Sequence, residues 1–73
     1  MTHRHYTIVV ERAEGNYSAY APDLPGVVAA GNTLEETERL MRKAIALYVE
    51  ELRAAGEAIP EPTSVARTVE VVA

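Results

Sequence analysis

The run LEETERLMRKAIALYVEEL, residues 34–52, does most to narrow what this chain can become. Leu34, Leu40, Met41, Ala44, Ile45, Leu47, Tyr48 and Leu52 recur at spacings of three and four, which places them on one broad apolar face of a helix. Glu38, Arg39, Arg42, Lys43, Glu50 and Arg53 fall opposite. A helix with one apolar face must bury it against another element. Its start is marked by Thr33 and Glu36, a T-x-x-E capping box: the hydroxyl accepts from the Glu36 amide and the carboxylate reaches back to the Thr33 amide. Glu35, Glu36 and Glu38 put negative charge where the helix dipole favours it. Gly56 suits the position after the last turn, and Pro60 and Pro62 oppose continuation.

The remaining pattern has period two. HYTIVVERA alternates Tyr6, Ile8 and Val10 with Thr7, Val9 and Glu11, and the β-branched residues favour a strand. AEGN supplies a hairpin turn at Gly15 and Asn16, YSAYA reads as a second strand and VVAAG as a third. VARTVEVVA alternates again, with Val65, Val69 and Val71 on one side and Thr68, Glu70 and Val72 on the other. The expected fold is therefore α+β, in the order β-β-β-α-β. Three strands form a meander, and a right-handed crossover through the helix sets a fourth parallel to the first. That gives a four-stranded mixed sheet of order 3-2-1-4 with one long helix on one face. A turn at Glu14 and Gly15 would bring Ile8, Val10, Tyr17, Ala19 and Ala21 to one face, with alanines small enough for a close helix. Thr7, Val9, Glu11, Ser18 and Tyr20 would occupy the other.

Punctuation concentrates in APDLPGVVAAGN, between the second strand and the helix. Pro22 and Pro25 fix φ and lack a donor, Asp23 can bond an amide two residues on, and Gly26 can turn where other residues cannot. A rigid structural turn accounts for all of these except Leu24, an apolar residue at the tip that either packs back onto the fold or anchors a partner.

Seventy-three residues make one domain, residues 1–73, near the size at which a single core barely suffices. There is no cysteine, no apolar run long enough for a membrane span and no cleavage-site pattern, so a cytoplasmic protein is the default. Eleven acidic against seven basic residues give a net charge of −4, which opposes bulk nucleic-acid affinity and suits a basic partner. A nucleic-acid-binding module has its best support in Arg39, Arg42, Lys43 and Arg53 with Tyr20, but interleaved Glu38, Glu50 and Glu51 read as a solvated face. A nuclease of this topology needs converging carboxylates for divalent metal, whereas Asp23 is the only aspartate. His3 and His5 form a possible metal pair without a third ligand near in sequence. No catalytic, cofactor or metal site is therefore expected.

The segment from Tyr17 onward resembles the HicB-type antitoxin family. The residues that carry the resemblance are Tyr17 and Ala19; Pro22, Asp23, Leu24, Pro25 and Gly26; Gly31, Asn32 and Thr33; Ala44 and Ile45; and Gly56, Ile59, Pro60 and Pro62. The resemblance implies a truncated ribonuclease-H-like fold and an antitoxin that binds and neutralises a small, basic HicA-type toxin that cleaves messenger RNA. Val27 stands where a cysteine often follows the PDLPG turn, a packing substitution. Many family members continue into a helix-turn-helix or ribbon-helix-helix domain, and nothing in this sequence reads as one, so direct DNA binding by this chain alone is not expected. The expected partner or self-association face comprises Val9, Tyr20, Val72 and Leu24, since one helix covers only one side of a sheet. The expected activity is stoichiometric occlusion by a homodimer or higher homo-oligomer. The rival is an orphan protein- or nucleic-acid-binding module of the same fold, without a toxin.

Overall fold

A computed structural model describes residues 3–73. Strands β1 (Val9–Ala13), β2 (Asn16–Tyr20) and β3 (Val28–Gly31) form an antiparallel sheet in the order β1-β2-β3, and helix α1 (Leu34–Ala54) packs on one face. The β1–β2 hairpin closes through Glu14 and Gly15, with Ala13 opposite Asn16, Val10 opposite Ala19 and Val9 opposite Tyr20. That register puts Val10 and Ala19 on the helix side and Val9, Glu11, Ser18 and Tyr20 on the open side, as the period-two pattern implied. β3 adds Ala29 opposite Ala19 and Gly31 opposite Tyr17.

The small residues serve a close approach. A Cβ on Gly31 would stand 2.7 Å from the Thr37 Oγ1 and 3.0 Å from the Thr37 backbone nitrogen, so only glycine lets the first turn of α1 settle against β3. The core that results is compact: Ala19, Ala21, Leu24, Val27 and Met41 are buried, with Tyr6, Ile8, Val10, Ala44, Ile45 and Tyr48 packed around them. The buried helical stripe includes Thr37, whose hydroxyl donates to the Thr33 carbonyl at 2.8 Å and so enters the core satisfied. Leu34 and Leu47 were expected on this apolar face; both are exposed, Leu34 at the first position of the helix and Leu47 about 120° round the helix from Met41. α1 ends with paired bonds from the Gly56 amide to the Arg53 carbonyl and from the Glu57 amide to the Leu52 carbonyl, a Schellman arrangement.

Two expectations about strands are corrected. β1 begins at Val9, because β2 stops before Pro22 and leaves residues 5–8 without an opposite strand. There is no fourth strand among the described residues, so the sheet is three-stranded and the order 3-2-1-4 does not hold. The cause is in the return segment. Pro60 and Pro62 lack donors, and side chains rather than a ladder hold this part of the chain. The Tyr6 hydroxyl donates to the Pro60 carbonyl, the Thr7 hydroxyl donates to the Ser64 carbonyl at 2.9 Å, and Arg4 lies 3.6 Å from Glu61. Beyond Ser64 the valine run meets no neighbouring strand, and Val72, expected on the sheet's partner face, is 97% exposed in that unpaired segment.

Candidate interaction surfaces

The PDLPG motif is two β-turns in succession. The Leu24 amide donates to the Ala21 carbonyl at 3.0 Å, closing a turn with Pro22 at its second position. The Val27 amide donates to the Leu24 carbonyl at 3.2 Å, closing a second with Pro25 in the same place and Gly26 at φ 85°. Two tight turns back to back fold Leu24 inward, where its exposure is 0%. The expectation that Leu24 belongs to a partner face is therefore corrected: it is the centre of the core, and a partner cannot reach it.

Asp23 also differs from the local turn former that its neighbours suggest. Its Oδ2 accepts from the Thr63 and Ser64 amides, both at 3.0 Å, and its Oδ1 accepts from the Thr63 hydroxyl at 3.0 Å and the Ser64 hydroxyl at 2.8 Å. The Ser64 amide and hydroxyl, followed by the Thr63 donors, hold the carboxyl below its ordinary value of 3.8 against the opposing effect of burial. One carboxylate thus fastens the PDLPG turn to a segment forty residues later. The arrangement is structural, since all four bonds are internal and leave no vacant position for a reacting group.

At the helix start the Glu36 amide donates to the Thr33 Oγ1 at 3.0 Å. The Glu36 carboxylate accepts from the Asn32 amide at 2.7 Å, one residue earlier than the capping-box pattern places it. Both side chains are thus used in ending the turn and beginning the helix.

The open face of the sheet carries a transverse row in which Val9, Tyr20 and Val28 are successive cross-strand neighbours. Tyr20 is 43% and Val28 66% exposed. Val28 is absent from the sequence-based face; its alternation in a four-residue strand is too short to orient it without the β2–β3 register. On the other side of the sheet, α1 lies over β3 and β2 and touches β1 least. A cleft of about 280 Å³ opens there, lined by Tyr6, Ile8 and Ile45 together with Arg4, Glu38 and Arg42. His5 also lines it, but no group of three metal-ligating side chains occurs among the described residues. The helix bases and acids interleave, with one bond of 2.9 Å between Arg53 and Glu50. None of the described helices is long and apolar enough to cross a membrane.

Residues 6–72 match the family model described as the HicB-like antitoxin of bacterial toxin-antitoxin systems. A UPF0150 protein of Synechocystis sp. is 37% identical over 57 residues, covering 77% of this chain and 72% of that relative. A UPF0150 protein of Helicobacter pylori is 41% identical over 46 residues, covering 63% of this chain and 64% of its own length. An uncharacterised 14.9 kDa protein from the rep-hol intergenic region of Haemophilus phage HP1 is 32% identical over 56 residues. The match covers 77% of this chain but only 42% of the phage protein.

Proposed function

The chain belongs to the HicB-like antitoxin family, and from that premise we propose that it neutralises a small HicA-type toxin, an enzyme that cleaves messenger RNA, by binding and occluding it. It does so in the cytoplasm, as a homodimer, and without catalysis of its own. The observation that carries this reading is the extent of the family match, residues 6–72, which takes in sheet, turn, helix and return segment together. The meander with one helix accords with a truncated ribonuclease-H-like fold in which binding has replaced metal-dependent chemistry.

The chemistry of the surface supports a protein partner. An RNA-cleaving toxin needs basic groups for phosphate, and this chain offers a net charge of −4. Opposite charge steers encounter and is screened over a Debye length of about 8 Å at physiological ionic strength. The Val9–Tyr20–Val28 row supplies the apolar and aromatic contact that holds a partner once it has arrived.

The test is coexpression with the small basic protein encoded beside this chain. Growth should be restored, and the two should co-purify in a complex whose association slows with added salt. Tyr20→Glu, on the open face and outside the buried cluster, should weaken capture at least tenfold while the chain still folds, its melt lowered by no more than the loss of a cross-strand pair. A wild-type chain that neither binds nor neutralises that neighbour refutes the antitoxin mechanism and leaves an orphan binding module.

A further inference from the structure

Beyond Ser64 the chain adds nothing to its own fold. Residues 65–73, VARTVEVVA, join no strand and none of the backbone turn or cap bonds. Val65, Val69, Val71 and Val72 are 73–97% exposed. The molecule measures 48 Å along its longest axis, whereas a 21-residue helix at 1.5 Å per residue reaches only about 31 Å. Its radius of gyration is 14.0 Å, against roughly 11 Å for a compact chain of this length. Residues 65–73 form an arm, rich in β-branched residues and free of proline, whose backbone donors and acceptors face water. Folded proteins seldom leave such a segment open, because it pairs with any edge it meets.

The same chain carries an edge suited to it. β1 is an outer strand, paired to β2 on one flank and free on the other. The cleft between α1 and residues 4–8, which lead into β1, presents Tyr6, Ile8 and Ile45, and a second cleft of about 300 Å³ continues it past Val49. Arg4 lines both, and its Nε is buried without an acceptor. A strand laid along β1 would put alternate side chains, Val65, Val69 and Val71, against the apolar lining. It would also bring backbone carbonyl oxygens toward the Arg4 Nε, which is buried without an acceptor although the guanidinium lies 3.6 Å from Glu61. With one arginine and one glutamate the arm is neutral, so seating it adds no repulsion between two acidic chains.

The arm does not lie on its own edge. It leaves the body at Ser64, where Asp23 and Thr7 fix the backbone, and its valines stay in solvent. The edge available to it is that of a second copy. Reciprocal exchange is closed by a two-fold axis and leaves neither arm nor edge unpaired.

We propose that two copies of this chain exchange residues 65–73, each arm pairing with the outer edge of the partner's β1 and seating its valines in the cleft between α1 and the residues that lead into β1. This locates the dimer contact assumed for the antitoxin, and it can fail without toxin capture failing. Light scattering of the full chain should report twice the mass of 8.0 kDa. Val69→Pro removes a donor from the arm and touches nothing in its own chain, so helix content should be unchanged while dimerisation weakens at least tenfold. In a mixture of isotope-labelled and unlabelled chains, contacts should appear between arm valine methyls and Ile8 or Ile45 of the other chain. A monomer at high micromolar concentration overturns the proposal, as does a dimer indifferent to Val69→Pro or one showing only arm-to-arm contacts. A monomeric wild type that still captures the toxin would overturn it and leave neutralisation standing.

Discussion

Asp23 organises more of this protein than any other polar side chain, because its two oxygens hold four donors from Thr63 and Ser64. Asparagine offers one acceptor oxygen in place of two, so Asp23→Asn would set an amide nitrogen against the donors that one carboxylate oxygen now accepts. The charged form is the one that is bonded. Its folded-state pKa is lowered, so the stability it contributes is present above the unfolded value of 3.8 and is lost as pH falls through the folded one. Asp23→Asn should therefore melt at lower temperature near neutrality, and the gap from wild type should narrow once the pH drops below 3.8. A gap independent of pH would show that the carboxylate charge has no part in the staple. The sequence indicates the residue but not this role: an aspartate between two prolines offers a bond two residues on, and nothing local points to donors forty residues away.

Among the elements, α1 owes its start to side chains and its burial to the small residues of the sheet. Thr33 accepts from the Glu36 amide, and its carbonyl receives both the Thr37 amide and the Thr37 hydroxyl. Thr33→Ala removes the cap and should cost about 0.5–2 kcal/mol, read as a lower urea midpoint with an unchanged slope. An unchanged midpoint would mean that the Glu36 carboxylate on the Asn32 amide suffices to hold the first turn. This boundary and the hairpin register were legible because each depends on residues within a few positions of one another. The fourth strand was misread for the converse reason. VARTVEVVA has the right period, but a period does not say which edge, or which chain, a strand will join.

At the scale of the whole molecule, a core this small makes the PDLPG turn a condition of folding. Leu24 and Met41 are the largest apolar side chains with no exposure, and they tie turn, sheet and helix into one cluster. Truncating such a leucine costs about 2–5 kcal/mol through lost transfer energy and an unfilled cavity. A 73-residue domain has roughly 4–11 kcal/mol in total, taking about 0.05–0.15 kcal/mol per residue. Leu24→Ala should consequently remove a large share of the stability and lower the urea midpoint far more than Thr33→Ala does. Val28→Ala, on the open face, should stay within about 0.5 kcal/mol of wild type. The two variants separate the surface that holds the fold from the surface left for a partner. If Leu24→Ala melted like wild type and instead lost toxin capture, the tip of the turn would be a contact after all, and the burial of Leu24 would have to open on binding.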